Sequence, residues 1–210
     1  MQLYLAYVSP NCRRPLAVAA HLGIDLEHVV VDFLKGEHKS PDYLAINPNG
    51  KIPTLVDGDL KLWESAAIMQ YLADQKQANT LYPAELGARA NVHRWMYWGL
   101  NHFGPAVGVF TWENFAKPTF GFGEPDQDRL ANAKGDFATV AAILDAHLGE
   151  NGPFVCGDEV TLADFGLAGA EHLWDRAQLP LDGHDNIIAW RARLNQVPAW
   201  QATAPEVPGG

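Results

Sequence analysis

The hydrophobic pattern of this chain changes once, near residue 84, and that change restricts the possible folds more than any other feature of the sequence. Before residue 84, short extended runs alternate with runs of helical spacing, whereas every later run has helical spacing. A chain of 210 residues is long enough for two small domains. We therefore predict an α+β domain over residues 1–78 and an all-α domain over residues 85–205, joined near residues 77–83.

The first part of the chain predicts four strands and three helices. The strands are expected at residues 3–7, 28–32, 54–56 and 60–63, and the helices at residues 14–22, 42–46 and 65–73. Gly23 is expected to end the first helix in a left-handed conformation, and Asp57-Gly58 predicts a two-residue hairpin loop. A β-α-β unit followed by a hairpin and a helix is the arrangement of a thioredoxin-like domain.

The second part of the chain predicts only helices. They are expected at residues 85–112, 126–148, 162–175 and 186–194. Gly99 and Gly104-Pro105 predict a kink in the first of these helices, and residues 117–125 predict a break after it. The tail after Pro198 is expected to be loose.

Composition excludes several classes of protein. The chain has 15 Lys and Arg against 25 Asp and Glu, a net charge of −10, whereas a nucleic-acid-binding protein needs a surplus of cations. Two cysteines, Cys12 and Cys156, are too few for a disulfide framework, and the histidines show no metal-ligand spacing. No run approaches the ~18 apolar residues of a membrane span, and residues 1–14 lack a secretory leader pattern. We expect a cytoplasmic protein without a metal, a nucleic acid or a membrane as partner.

Ser9-Pro10-Asn11-Cys12 lies between the first predicted strand and the first predicted helix. In a thioredoxin-like domain this position faces the substrate at a helix N-terminus, where partial positive charge stabilises a thiolate. The spacing resembles the C-P-x-C of glutaredoxins, with Ser9 in place of the attacking cysteine. A serine hydroxyl can donate a charge-assisted hydrogen bond worth about 1.5–3 kcal/mol, and together with the helix terminus this is enough to lower a thiol pKa by about two units. The alternative is that Ser9 only caps the helix.

Pro53 stands at the entrance of a predicted strand, where proline is rare unless it has a special role. We expect a cis bond between Ile52 and Pro53, which would turn the Ile52 main chain outward to pair with a peptide lying alongside. A rigid turn without a ligand is the alternative.

Two further segments supply charged and polar groups suited to an amino-acid ligand. Ser65 is predicted to be the N-cap of a helix and so to bind a carboxylate, and Glu64 beside it suits an ammonium group. His38, Lys39 and Lys51 supply cations for a second carboxylate. Ordinary capping and solvated surface charges are the alternatives for these residues.

Taken in order, these segments resemble the cytosolic glutathione transferase family. In the first domain the likeness covers the Ser9 region and residues 35–38, 47–48, 51–55, 63–68 and 71–72. In the second domain, residues 160–165 resemble the family's capping box, in which Thr161 caps a buried helix and Asp164 returns the hydrogen bond. The likeness extends over nearly the whole chain and suggests a bacterial enzyme of a theta-, beta- or nu-like serine type.

The resemblance implies a role for each matched residue near the sulfur of glutathione. It implies that the Ser9 hydroxyl stabilises the thiolate and that Asn11 is a second hydrogen-bond donor. Tyr7 is close to the catalytic tyrosine of other classes, but Ser9 fits the register better. Cys12 is expected to turn into the helix and not to act as the nucleophile.

The resemblance also implies how the rest of glutathione is bound. It assigns the cysteinyl main chain to Ile52, with Pro53 as the cis proline. The γ-glutamyl unit is assigned to Glu64 and Ser65, and the glycine carboxylate to His38 and Lys51.

The electrophile pocket is expected where the two domains meet. Its candidate residues are Tyr7, His102, Phe110 and Trp112, for each of which core packing is the alternative.

The predicted function is a detoxifying glutathione S-transferase that joins the thiolate of glutathione to small hydrophobic electrophiles, without a metal and as a homodimer. Two other functions stay open. A glutathione-dependent disulfide or peroxide reductase is indicated by Asn11 beside Ser9. A non-catalytic interaction module with the same fold is the third.

Overall fold

The computed structural model describes residues 1–77 and 80–205. The contacts divide the chain into two compact units, of which the first is Met1–Asn79 with Pro198–Val207 and the second is chiefly Thr80–Val197. Part of the predicted junction at 77–83, and the end of the predicted loose tail at 206–210, lie outside the described residues.

The first unit contains a four-stranded sheet. Its strands are β1 (Gln2–Leu5), β2 (Glu27–Val30), β3 (Thr54–Asp57) and β4 (Leu60–Trp63), in the order β2-β1-β3-β4. β1 pairs parallel with β2 and antiparallel with β3, which pairs antiparallel with β4. The predicted hairpin loop is wrong by one residue: Asp57 pairs with Leu60, so the loop is Gly58-Asp59, with Gly58 at a φ of 57°.

Three helices complete the continuous part of the first unit, and they are α1 (Pro10–Leu22), α2 (Pro41–Leu44) and α3 (Ser65–Gln75). A 3₁₀ turn at Glu37–Lys39 precedes α2. α1 begins four residues earlier than predicted because Pro10 suits the first helical position, and it ends at Gly23 in the predicted left-handed conformation (φ 62°, ψ 39°). α1 packs against α3, and the buried residues of α1 form part of the core of this unit.

The second unit is helical, with α4 (Leu86–Trp98), α5 (Gly104–Phe110), α6 (Lys117–Phe120), α7 (Gln127–Asn151), α8 (Leu162–Leu167) and α9 (Asp185–Leu194). The predicted kink takes the form of two π-helical turns, Gly99–Phe103 and Thr111–Ala116, on either side of α5. The predicted break at 117–125 is wrong for its first residues because the helical path continues to Phe120 and ends at Gly121, whose φ is 73°.

A buried hydrogen-bonded carboxylate organises the core of the second unit. Asp164 accepts hydrogen bonds from the Thr161 N–H (2.8 Å), the Val155 N–H (2.9 Å) and the Trp190 indole (2.9 Å). The predicted capping box between Thr161 and Asp164 is therefore confirmed. α8 is buried over its whole length, but it ends at Leu167 and is followed by a 3₁₀ turn at Glu171–Leu173, so the helix predicted at 162–175 is too long.

The chain returns to the first unit at its C-terminal end. α10 (Pro198–Ala202) packs against α1, so the tail predicted to be loose is ordered over these residues. The Arg13 guanidinium lies 3.7 Å from the centroid of the buried Trp200 ring, and its Nη2 donates to the Trp200 carbonyl (3.0 Å). This cation–π contact explains why an apolar ring in the tail stays buried.

None of the described helices combines the length and the apolar composition that crossing a bilayer requires.

Candidate functional site

Ser9 lies at the start of α1 with its hydroxyl unused as a cap. It is the N-cap residue (φ −80°, ψ 122°), but its side chain makes no capping hydrogen bond. Its carbonyl accepts from the N–H groups of Cys12 (3.0 Å) and Arg13 (3.1 Å), which fixes the Ser9 backbone at the helix N-terminus. The capping alternative for Ser9 is therefore not supported, and the residue, which is partly exposed, lies at the positive end of a 13-residue helix.

Cys12 does not have the properties of a nucleophile. Its side chain is fully buried, and burial raises the pKa of the thiol to about 11, although hydrogen bonds with the Ala6 main chain and the Ser9 side chain act in the opposite direction. A thiol with this pKa is protonated at neutral pH and unreactive. The placement agrees with the expectation that Cys12 turns into the helix.

Asn11 is exposed in the first turn of α1, two residues after Ser9. Its Oδ1 accepts a hydrogen bond from Nη1 of Arg14 (2.7 Å). Its amide nitrogen has no hydrogen-bond partner within residues 1–77 and 80–205. Ser9 and Asn11 thus present a hydroxyl and an amide at one helix mouth.

The peptide bond between Ile52 and Pro53 is cis, as predicted. The loop before it is held by buried polar groups: Asn47 Nδ2 donates to the Lys51 carbonyl (2.7 Å), and the Tyr43 hydroxyl donates to the same carbonyl (2.6 Å). Within the described part of the chain, the N–H and C=O of Ile52 have no hydrogen-bond partner. The loop therefore offers one donor and one acceptor to an extended ligand.

Tyr43 and Asn47 have supporting roles that the sequence did not indicate. The sequence indicated Asn47 only as part of the family resemblance, whereas its side chain also donates to Thr54 Oγ1 (2.9 Å). Its burial, at 2% exposure, reflects this network. The available signal for this role was an asparagine directly before a loop that contains proline. The signal does not show where the side chain of that asparagine points, because its direction depends on tertiary structure.

Glu64, and not Ser65, is the N-cap residue of α3, so that prediction is wrong by one position. The Glu64 carbonyl accepts from the N–H of Ile68 (3.0 Å), which makes Ser65 the first helical residue. Glu64 has a φ of 74° and a ψ of 114°, a conformation that is strained for any residue with a Cβ and that is concentrated at ligand sites. The buried Ser65 still offers a helix N-terminal N–H, and the exposed Glu64 carboxylate has no ion-pair partner among the residues described.

The three predicted cations lie on two adjoining segments. Gly50 has a φ of 58°, and a Cβ there would lie 2.8 Å from the His38 carbonyl and 2.9 Å from Nζ of Lys39. The loop that carries Lys51 is therefore in close contact with the 3₁₀ turn that carries His38 and Lys39. Neither lysine has a carboxylate partner in the described ranges, which leaves both ammonium groups for an anionic ligand.

The His38 ring is held by an aromatic contact. It stacks on Phe33 with ring centroids 4.1 Å apart and an interplanar angle of 16°. Its Nδ1 is buried and has no hydrogen-bond partner among the described residues. The stacking fixes the plane of the imidazole before any ligand binds.

The four predicted electrophile-pocket residues have different environments. The Tyr7 hydroxyl is hydrogen bonded to His28 Nδ1 (3.0 Å), and Trp112 is 40% exposed and stacks on Phe122. His102 lines a cleft of about 470 Å³ between α5 and α7 in the second unit. Phe110 is only 2% exposed because it packs against Phe137 in the core, so its place in a pocket wall is not supported.

Among the described residues, no group of three or more His, Cys, Asp or Glu side chains is placed to hold a metal ion.

Two family models match the chain. The model for the glutathione S-transferase N-terminal domain matches residues 1–74, and the model for the C-terminal domain matches residues 127–193. Glutathione S-transferase 3 of Zea mays is 36% identical over 214 residues, covering 99% of this chain and 95% of the relative. Human glutathione S-transferase theta-2B is 36% identical over 198 residues, covering 92% of this chain and 80% of the relative.

Solved structures show the same similarity. A theta-class glutathione S-transferase from Xanthomonas axonopodis pv. citri with glutathione bound has a TM-score of 0.86 and 32% identity, covering 98% of this chain and 97% of that one. Glutathione transferase F7 from Populus trichocarpa has a TM-score of 0.89 and 29% identity, covering 97% of each chain.

Proposed function

Since the chain belongs to the glutathione S-transferase family, we propose that Ser9 stabilises the thiolate of bound glutathione, which the enzyme transfers to small hydrophobic electrophiles. The enzyme conjugates glutathione, as its relatives' names and the match to both family domains support. In the reaction, the thiol proton leaves, the sulfur forms a bond to an electrophilic carbon, and the leaving group departs with its electron pair. The protein lowers the barrier by ionising the thiol and by holding both reactants together.

The observation that carries the proposal is that the Ser9 hydroxyl lies at the mouth of α1 and is not used as a helix cap. In the same unit, the unpaired main chain of Ile52 is suited to the cysteinyl unit of glutathione, with Pro53 next to it. The Glu64 carboxylate and the Ser65 N–H suit the ammonium and carboxylate of the γ-glutamyl unit.

The glycine carboxylate of glutathione is assigned to the cationic corner. His38, Lys39 and Lys51 lie on two segments in contact, and both lysines lack a carboxylate partner in the described ranges. A tripeptide bound by these groups would have its sulfur near Ser9 and Asn11. We further propose a serine-type, theta-like enzyme that is cytoplasmic and homodimeric. The theta-class relatives support the theta-like part of this assignment.

The electrophile would be recognised by exposed aromatic surface. Trp112 and Phe122 stack with ring centroids 5.6 Å apart and an interplanar angle of 21°, and each remains partly exposed. Tyr7 and His102 stay candidates for the same role. Apolar and aromatic walls discriminate weakly between small substrates, so we propose a substrate class of hydrophobic electrophiles and no single compound.

The test compares Ser9→Ala with Ser9→Thr. Calorimetry should show that both variants bind glutathione. Ser9→Ala should raise the pKa of the bound thiol by about one to two units and lower kcat/KM near neutral pH by about tenfold to a hundredfold. Ser9→Thr keeps a hydroxyl and should retain most of the activity. No glutathione binding by the unsubstituted protein would refute the function, and an unchanged thiol pKa in Ser9→Ala would refute the role of Ser9.

A glutathione-dependent disulfide reductase is the second candidate because the Asn11 amide nitrogen is available beside Ser9. Such an enzyme should reduce 2-hydroxyethyl disulfide and show no activity with chlorodinitrobenzene. The transferase should show the reverse preference.

A further inference from the structure

Arg14, in the first unit, is a buried cation without a counter-charge among the described residues. It is 8% exposed, and its Nε is buried without a hydrogen-bond partner among the described residues. Burial lowers the pKa of its guanidinium to about 10, and no neighbouring carboxylate opposes that shift. Because a buried unpaired charge destabilises a protein, its presence here needs a physical reason.

The neighbouring Arg13 shows what a purely structural arginine looks like in this helix. Arg13 stacks on Trp200 and donates to the Trp200 carbonyl, so its contacts join α1 to α10. Within residues 1–77 and 80–205, Arg14 has no comparable contact with another element. Its recorded hydrogen bond runs along its own helix to the side chain of Asn11, three residues earlier.

This hydrogen bond determines which way the Asn11 amide faces. A guanidinium has only donors, so the group 2.7 Å from Nη1 of Arg14 must be the carbonyl oxygen of the amide. The NH₂ group of Asn11 then does not face Arg14, and since Asn11 is exposed it is available to a ligand. Without Arg14, the amide would be free to flip and to present an oxygen acceptor, which would repel a thiolate.

We propose that Arg14 is a positioning residue for the transfer reaction: its guanidinium locks the Asn11 amide so that the NH₂ donates to the glutathione thiolate at the mouth of α1. The inference rests on the proposed function because it requires glutathione to be the bound thiol. The Ser9 hydroxyl and the Asn11 amide then act as two donors to one sulfur, and Arg14 sets the direction of the second.

The experiment measures the pKa of the bound thiol, from thiolate absorbance and from the pH dependence of kcat/KM, in Arg14→Met, Asn11→Ala and the double variant. Arg14→Met should raise this pKa by about one unit, which lowers the thiolate fraction about tenfold below the pKa. Asn11→Ala should raise it by a similar amount. The double variant should not exceed Asn11→Ala, because Arg14 acts through Asn11.

Two further variants separate positioning from folding. Arg14→Lys keeps a donor in reach of Asn11 and should recover part of the pKa shift. Arg13→Lys should lower the melting temperature and leave the thiol pKa unchanged, whereas Arg14→Met should not lower the melting temperature because it removes a buried unpaired charge.

Three results would overturn the inference. One is an unchanged thiol pKa in an Arg14→Met protein that still binds glutathione. The second is full additivity of the two shifts in the double variant. The third is a lowered melting temperature for Arg14→Met with no change in thiol pKa, which would make Arg14 structural. Failure of the unsubstituted protein to bind glutathione in the same titration would refute the proposed function itself.

Discussion

Replacing Glu64 with alanine and with glycine separates the two physical roles of this residue. Glu64 has a φ of 74° and a ψ of 114°, a region that is unfavourable for any side chain with a Cβ. Strain of this kind costs of order 1–3 kcal/mol. Alanine keeps the strain and removes the carboxylate, whereas glycine removes both.

The difference in stability between the two variants therefore reports the strain, less the entropy cost of a glycine in the unfolded chain. Glycine relieves about 1–3 kcal/mol of strain but loses about 0.5–1 kcal/mol through the greater entropy of its unfolded chain. Glu64→Gly should be more stable than Glu64→Ala by about 1 kcal/mol, or about 2–4 °C in melting temperature for a chain of this length. Urea titration of both variants measures this difference directly.

Both variants should lose the same part of the glutathione affinity. Removing a charge-assisted contact to the ammonium group costs about 1.5–3 kcal/mol, which raises Kd about tenfold to a hundredfold by calorimetry. Glu64→Gln, which retains the strain and a hydrogen-bond acceptor, should bind better than either. If Glu64→Gly were no more stable than Glu64→Ala, the backbone at residue 64 would not be strained and the argument would fail.

Two other perturbations test features described above. Gly50→Ala should lower stability by at least about 1 kcal/mol and weaken glutathione binding, because its Cβ would lie 2.8 Å from the His38 carbonyl; unchanged affinity would show that the cationic corner does not bind the ligand. Glu113 is paired with Lys117 and Arg129, and the Lys117 hydrogen bond is the main cause that depresses its pKa below 4.5. A depressed carboxylate pKa gives stability that is complete above pH 4.5 and is lost as the pH falls through the folded-state value, so Glu113→Gln should be less stable at pH 7 and equal to the unsubstituted protein in strong acid. An unchanged stability gap at all pH values would contradict this pairing.

Local signals in the sequence predicted most of the fold. Gly23, the hairpin before Trp63 and the Thr161–Asp164 capping box each act over a few residues, so their structural outcome depends little on the rest of the chain. The errors arose where the outcome depends on tertiary contacts. α10 looked like a loose tail because the residue that covers Trp200 lies 187 positions earlier, at Arg13.

The candidate site was predictable in its residue types and less so in its geometry. Ser9, Ile52 and Glu64 were predicted as site residues because they stand at strand and helix ends, where backbone groups are often unpaired. The support of Lys51 by Tyr43 and Asn47 was not found, since a buried side-chain hydrogen bond leaves no spacing pattern. The burial of two other side chains was also not predictable from the sequence. Arg14 is charged but buried, and Phe110, an aromatic residue predicted for the electrophile pocket, lies in the core.

The contact between Arg13 and Trp200 joins the first helix to the last one, so it can form only near the end of synthesis. The four strands and the helices that cover them are complete once about a third of the protein has left the ribosome, but the face of α1 that bears Arg13 gains its cover only when the last helix emerges. The turn that carries Ser9 and Asn11 belongs to that same helix. All residues of the sheet are therefore synthesised well before Trp200, and the helix on which we propose the thiolate to be stabilised is the one that receives the last contact of this unit.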